Sequence, residues 1–393
     1  MINLGMTAET FMSDYYERRP LLVRGGYLDR DIGWDDVNHA IYVGEKESDF
    51  IRIHKDGFVN PDVYSEYCND VGTVRRRISR PVVRGLLEKG GVLVFNRIDI
   101  FSHPISKLCD VFSKIAGANA VANCYVAFRD KESFGKHWDT HDVFAVQLIG
   151  RKRWLVYEPT LPLPTSGQTS LHHKRECPPE PVMDIVLEAG DVLYLPRGWW
   201  HTAIPLNEET CHVAVGIHAP TVIDYLRWVL DRMASSSETL RQSIQPRAGG
   251  VAKVLAAAEE FNALAFNESR LKAYHEESLR TERAVSLLDL SHGFSEEASG
   301  LHGHRLSINS KRLPSDIGTQ IVINGAKLDL NDHAVKILRT LASSVVPMAF
   351  RDLQEVVDEV TAEALEAHLR EFIAYDIVSL HRAAPNSDSF RPM

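Results

Sequence analysis

The sequence lacks several features that mark particular classes of protein. No stretch approaches the ~20 consecutive apolar residues that a membrane span needs, and the opening MINLGMTAETF does not join a basic region to an apolar one. The five cysteines form no C-x-x-C pair, so a zinc knuckle or redox motif is not indicated. We therefore expect a cytoplasmic protein with reduced thiols and no membrane partner.

Basic residues are also fewer than acidic ones, with 44 Lys and Arg against 53 Asp and Glu. The formal net charge is -9, which repels polyphosphate chains, so a nucleic-acid role needs a local basic patch. The run VRRRISRPVVR near residues 74 to 84 is the best candidate for such an anion-binding surface, although a solvated loop is the favoured interpretation. Nucleic acid is therefore not an expected partner.

The chain of 393 residues is too long for one ordinary core, and residues 1–220 have a pattern of their own. Short segments separated by Gly, Pro and Asp predict a mainly β barrel or sandwich. These segments are GVLVFNRI, AVANCYVAF, VFAVQLIG, RKRWLVYEP, DVLYLPRG and CHVAVGIHA. One amphipathic helix, ISKLCDVFSKIAG, interrupts them and is expected to pack outside the barrel.

Helical patterns replace the strands after residue 220. Residues 221–315 predict a helical region followed by a connector, and the helices carry more apolar residues than one small bundle needs, which is consistent with a homodimer interface. Residues 316–382 show strand, three helices and strand, the order of a winged-helix unit. Residues 383–393 lack apolar periodicity and are expected to be a disordered tail.

The strongest chemical signal is a set of three possible metal ligands. His137 and Asp139 lie two residues apart at the start of an apparent strand, so their side chains share a face. His201 follows an apolar strand and a Pro-Arg-Gly turn and completes the set. Two histidines and one carboxylate leave three open positions on one side of an octahedral ion, as an iron(II) oxygenase requires, whereas zinc sites are more often tetrahedral.

Other histidines compete for this role, and a structural role is favoured for each of them because a lone histidine is seldom a ligand. They are His141, His172, His173, His212 and His218. His141 shares the parity of the first ligand pair, and His141 and Trp154 are the candidates for residues that contact the ligands without binding the metal.

A second set of residues predicts a binding site for a carboxylate. Lys152 and Trp154 share one face of the strand RKRWLVYEP, and because Trp154 is a natural core residue, Lys152 points inward. A buried lysine without an anion is costly, so we expect it to bind the distal carboxylate of 2-oxoglutarate while the keto-acid end chelates the metal. Asn123 and Tyr125 share a face of the preceding strand and are candidates for further polar contacts in this pocket.

Four motif pieces together resemble a known family, the cupin-like JmjC oxygenases related to ribosomal oxygenases. They are Asn-x-Tyr, His-x-Asp, DVFAVQLIGRKRW and GDVLYLPRGWWH. The resemblance implies a double-stranded β-helix followed by a helical dimerisation region and a winged helix. It also implies that His137, Asp139 and His201 bind iron(II), that Lys152 binds 2-oxoglutarate, and that dioxygen is consumed. The implied enzyme is a 2-oxoglutarate-dependent hydroxylase that releases succinate and CO2.

The substrate does not follow from the motifs, and a polypeptide such as a ribosomal protein, a biosynthetic peptide or an amino acid all remain open. One alternative function is a metal-dependent cupin that does not use 2-oxoglutarate, which leaves Lys152 unexplained. The other is a non-enzymatic binder acting through the winged helix. Its helices, RDLQEVVDEVTAEALEAHLREFIAYD, carry two arginines among eight acidic residues, which argues against nucleic acid.

Overall fold

A computed structural model describes residues 2–44, 50–244, 249–282, 284, 301–310, 312, 317–344 and 346–382. The chain divides into two compact units, Met1–Ala219 and Pro220–Met393. Within the described ranges, every helix is too short or too polar to cross a lipid bilayer.

Antiparallel strands form the first unit. They are β1 (Leu21–Val23), β2 (Ile51–His54), β3 (Ser65–Asp70), β4 (Thr73–Ile78), β5 (Val92–Phe95), β6 (Asn119–Ala127), β7 (Asp142–Ile149), β8 (Lys152–Tyr157), β9 (Met183–Leu187), β10 (Val192–Leu195), β11 (Trp200–Pro205) and β12 (Thr210–His218). A seven-stranded sheet has the order β1-β10-β7-β12-β6-β5-β2, and a three-stranded sheet has the order β11-β8-β9. Each predicted segment therefore supplies a strand, and the β-rich core is confirmed.

Helices cover one face of the seven-stranded sheet. They are α1 (Ala8–Asp14), α2 (Trp34–Gly44), α3 (Arg80–Glu88) and α4 (His103–Ala116). On α4, Ile105, Leu108 and Phe112 are buried in the same cluster as Phe144 of β7. Gly117 ends this helix in the left-handed conformation, with φ of 61°. The predicted amphipathic helix thus lies outside the barrel, and the opposite face of the sheet is left for the candidate site.

The basic run near residues 74 to 84 is not the solvated loop that the sequence favoured. Its first half is β4, which pairs with β3 in a two-stranded hairpin. Ion pairs with neighbouring acidic groups neutralise its arginines: Arg75 with Asp70, Arg76 with Asp62 and Arg77 with Glu66. The hairpin is therefore a surface of mixed charge.

The second unit begins with helices. They are α5 (Val222–Ser236), α6 (Glu238–Arg241), α7 (Gly250–Ala265) and α8 (Glu268–Thr281). Thr221 and Asp224 form a capping box that starts α5 directly after Pro220. Val229, Met233 and Ala265 form a small buried cluster in this helical part.

A mixed α/β part follows and has a larger core of its own. Its elements are β13 (His304–Ile308), β14 (Gln320–Ile323), β15 (Ala326–Asp329), α9 (Asp332–Ser343), β16 (Met348–Ala349), α10 (Phe350–Val356), α11 (Ala362–Ala374) and β17 (Val378–Arg382). A three-stranded sheet has the order β16-β13-β17, while β14 and β15 form a hairpin.

Two predictions for this region need correction. Residues 304–308, assigned to the connector, are the central strand of the sheet, so this part begins before residue 316. The first of the two strands predicted within residues 316–382 turns back at Asn324 and Gly325, both with positive φ, and forms β14 and β15. Residues 285–300 of the connector and the tail 383–393 lie outside the described residues.

Candidate active site

The three predicted metal ligands meet between the two sheets of the first unit. Each of the three residues, His137, Asp139 and His201, offers one ligand atom, and these atoms all lie within 4.8 Å of one another. Nε2 of His201 is 3.6 Å from a carboxylate oxygen of Asp139. Because metal–ligand bonds to nitrogen and oxygen are about 2.0–2.2 Å long, one divalent ion fits between these atoms.

The sequence placed the first two ligands at the start of a strand, and this prediction needs correction, because both residues precede the strand. β7 begins at Asp142, and His137 forms an isolated antiparallel bridge to His201 through backbone hydrogen bonds of 3.1 and 2.8 Å. Trp138 points the other way, into a buried cluster with Trp200. The chain is thus extended here and keeps the alternation that puts the first two ligands on one face.

Backbone carbonyl groups orient both imidazole rings. Nδ1 of His137 lies 2.9 Å from the carbonyl oxygen of Gly135, and Nδ1 of His201 lies 3.0 Å from that of Trp199. When each Nδ1 carries the proton and donates, each Nε2 keeps a lone pair for a metal, as in most histidine metal sites. Burial lowers the pKa of His201 to about 4, so its imidazole is in the neutral, ligand form at neutral pH.

The carboxylate of Asp139 is also in its ligand form. Burial raises its pKa, but the neighbouring His201, His137 and His141 together lower it below the usual value. The donor set, its geometry and the protonation states of His201 and Asp139 fit a divalent metal ion held on one side.

The Pro-Arg-Gly turn joins the two ligand segments. Gly198 has φ of 88°, and its N–H donates to the carbonyl oxygen of Asp139 at 3.0 Å. A Cβ atom at Gly198 would lie 2.5 Å from the carbonyl oxygen of Leu161 and 2.8 Å from Cδ of Pro164. Only glycine allows this close approach, which brings His201 beside the first ligand pair.

Lys152 lies in the same cavity as the ligands. It is 2% exposed, and burial lowers its pKa to about 8. Among the described residues its polar partner is His212, and none of their carboxylates forms an ion pair with it. A buried ammonium group without an anion is unfavourable, so the cavity fits a ligand that brings a carboxylate.

Trp154 and Tyr125 are walls of this cavity. The indole of Trp154 packs against His201 with ring centroids 5.9 Å apart, and its buried N–H has no hydrogen-bond partner among the described residues. Tyr125 lies parallel to His212 with centroids 4.8 Å apart. Asn123 does not line the cavity; its side-chain oxygen accepts from the N–H of Arg97 at 3.0 Å, and its side chain hydrogen-bonds Tyr125.

The remaining histidines divide into two groups. His141 does not line the cavity. Its ring stacks on that of His218 with centroids 4.8 Å apart, and its charge helps to lower the pKa of Asp139. His173 pairs with Glu176 on an exposed loop. His212 differs, because it is 4% exposed, lines the cavity and contacts Lys152. The sequence analysis favoured a purely structural role for His212 and so missed its place in the site. The segment CHVAVGIHA contained a signal, because His212 alternates with buried apolar residues and therefore faces the opposite side of the strand.

Comparisons with known proteins agree with this geometry. Residues 95–225 match the JmjC domain. The histidyl-hydroxylase and lysine-specific demethylase NO66 of Drosophila melanogaster is 29% identical over 248 residues, 60% of this chain and 37% of that protein. Ribosomal oxygenase 1 of Gallus gallus is 30% identical over 216 residues, 53% of this chain and 34% of that protein. The chain thus spans about a third of the length of these curated relatives.

Solved structures of the Escherichia coli ribosomal oxygenase YcfD share the fold. The structure with cobalt and 2-oxoglutarate has a TM-score of 0.59 at 18% identity and covers 97% of this chain and 100% of that chain. The structure with cobalt and succinic acid has a TM-score of 0.61 at 18% identity.

The fold and the ligand set define a metal-binding protein built on a double-stranded β-helix. More particularly, residues 95–225 match the JmjC domain, and the predicted resemblance to the JmjC oxygenases related to ribosomal oxygenases is confirmed. The cofactor pair predicted from the sequence, a metal ion with 2-oxoglutarate, is the kind of pair that the YcfD structure holds.

Proposed function

We propose that this chain is an iron(II)- and 2-oxoglutarate-dependent dioxygenase that hydroxylates a side chain of a polypeptide substrate. The reaction consumes dioxygen and releases succinate and CO2. One observation carries the proposal: the two-histidine, one-carboxylate set and a buried, anion-less Lys152 line the same cavity. A metal alone would account for the first feature and not for the second.

The chain's own residues divide the work. His137, Asp139 and His201 would hold the ion from one side and leave its other side open to ligands. Lys152 binds the distal carboxylate, while the aromatic walls keep water out. Bound iron(II) and 2-oxoglutarate together supply the oxidising power, so no side chain is needed as a general base.

A polypeptide substrate is favoured by the relatives. NO66 is named for action on histidyl and lysyl groups, and YcfD and the Gallus gallus relative are named ribosomal oxygenases. A free amino acid or biosynthetic peptide is the alternative substrate. A cupin that does not use 2-oxoglutarate is disfavoured, because it gives Lys152 no anion.

We also propose that the second unit mediates assembly. α5 and α7 expose apolar side chains, which supports a homodimer through this region; they include Val222, Leu230, Val251, Val254 and Leu255. A solution mass equal to that of one chain would contradict the homodimer.

We propose further that the α/β part is a winged-helix module that contacts protein, since α11 carries three glutamates and one arginine.

The cytoplasm is the proposed location. Its support is that Cys68, Cys109, Cys124, Cys177 and Cys211 are all free in the structure, as expected under reducing conditions.

The decisive experiment measures succinate formed from 2-oxoglutarate by the purified chain with iron(II), with and without ribosomal-protein peptides. We expect iron-dependent succinate formation, stimulated by the correct peptide and abolished in His137→Ala. If the unmodified chain neither binds 2-oxoglutarate nor forms succinate with any peptide, the proposed function is wrong.

A further inference from the structure

The contact between Lys152 and His212 is the feature that the proposed function does not yet explain. Nζ of Lys152 lies 2.9 Å from Nδ1 of His212, and both side chains are buried. Lys152 belongs to β8 in one sheet, while His212 belongs to β12 in the other. The hydrogen bond therefore bridges the two sheets.

His212 is held rigidly where it lies. Its ring is nearly parallel to that of Tyr125, with centroids 4.8 Å apart and an interplanar angle of 5°. Trp154 packs against it edge to face at 5.3 Å and 78°. Tyr125 is also its direct partner in the ladder between β6 and β12. With one ring on its face and another at its edge, the imidazole has little freedom to turn.

The direction of the hydrogen bond follows from the protonation states. Burial lowers the pKa of His212 well below its ordinary value, and the nearby Lys152 lowers it further. The imidazole is therefore neutral at neutral pH. A lysine ammonium group can only donate, so Nδ1 of His212 accepts and the ring proton sits on Nε2.

We propose that His212 is a positioning residue for the recognition of a dicarboxylic 2-oxo acid: it holds the ammonium group of Lys152 in place within the cavity before the ligand binds. A lysine side chain has four flexible bonds, and fixing it in advance lowers the entropy cost of binding. The one hydrogen bond to His212 leaves two N–H donors of Lys152 for the distal carboxylate. This inference rests on the proposed function and adds a residue to it.

Asparagine and leucine at position 212 make a matched pair for the test. They have nearly the same shape, but the side-chain oxygen of asparagine takes the place of Nδ1 and can accept from Lys152, whereas leucine cannot. Binding is measured by calorimetry on the full chain with manganese(II), using 2-oxoglutarate and 2-oxopentanoate. The second compound has a methyl group in place of the distal carboxylate.

We expect His212→Leu to weaken 2-oxoglutarate binding about tenfold or more, the usual size for a lost hydrogen bond to a charged group, and His212→Asn to weaken it less than about threefold. Binding of 2-oxopentanoate and of manganese(II) should be unchanged in both variants. In a Lys152→Met background, His212→Leu should have no further effect on 2-oxoglutarate. If the leucine variant does not fold, His212→Gln replaces it, since its longer side chain moves the acceptor away from Lys152.

Several outcomes would overturn the inference and leave the proposed function standing. They are equal affinity of the asparagine and leucine variants for 2-oxoglutarate, equal losses for the two oxo acids, and additive effects of His212→Leu and Lys152→Met. Failure of the unmodified chain to bind 2-oxoglutarate at all would instead refute the proposed function.

Discussion

The two ends of the candidate site are built in different ways. At the metal end, His137 and Asp139 lie on an extended segment outside any strand, held by an isolated bridge and by the turn at Gly198. At the carboxylate end, Lys152, Tyr125 and His212 lie within the strands β8, β6 and β12. The ligands thus depend on particular backbone contacts, whereas the carboxylate pocket depends on strand parity and on the packing of two sheets.

Loss of a ligand should have the largest effect and should be confined to the metal end. His137→Ala is expected to weaken metal binding by more than the roughly 10- to 100-fold typical of lost supporting contacts, and to abolish succinate formation. His172→Ala, at an exposed loop position, is the control and should behave as the unmodified chain. Metal binding by calorimetry checks this, and wild-type affinity in His137→Ala would contradict the ligand assignment.

Loss of Lys152 should affect only the other end. Lys152→Met keeps the length and apolar stem but removes the charge, so 2-oxoglutarate affinity should fall roughly 10- to 100-fold, since hydrogen bonds to charged groups contribute about 1.5–3 kcal/mol each. Metal affinity should be nearly intact. Arg153→Met, on the outward face of the same strand, should change neither. Equal loss of metal and 2-oxoglutarate would give Lys152 a structural role instead.

The turn at Gly198 tests whether the metal end depends on backbone contacts. Gly198→Ala forces a side chain into positive φ and against the carbonyl oxygen of Leu161, so we expect a loss of about 1–3 kcal/mol in stability and weaker metal binding. Gly85→Ala lies in α3 with open space around the added Cβ and should be neutral or stabilising. Thermal unfolding with and without manganese(II) measures the stability and the metal binding of each variant. If Gly198→Ala is as stable as Gly85→Ala, the turn at Gly198 does not hold the metal end together.

The smallest expected effect is a change of 2-oxoglutarate affinity with pH, which should arise at the carboxylate end alone. The free Lys152, with a pKa of about 8, must be protonated to attract a carboxylate. Affinity should therefore be constant below pH 8 and fall by up to tenfold per unit above it. Binding of 2-oxopentanoate serves as the control and should not show this fall. A flat profile for 2-oxoglutarate from pH 7 to 9.5 would contradict the predicted role of the ammonium group.

The sequence alone was sufficient where chemistry depends on local periodicity. Residue type and spacing were enough to predict His137, Asp139 and His201 as one group, and alternation along β8 was enough to point Lys152 inward. The strands around the site and α4 were likewise predicted, because apolar periodicity records which face is buried.

Tertiary structure decided what depends on contacts between distant segments. The bridge between His137 and His201, the approach of Gly198 to Asp139 and the partnership of Lys152 with His212 each join residues that no local pattern relates. For the same reason β13 was assigned to a connector: its partner β17 lies some seventy residues further along the chain. Alternation along the sequence shows which face of a strand a side chain lies on, but only the folded chain shows which distant residues it contacts.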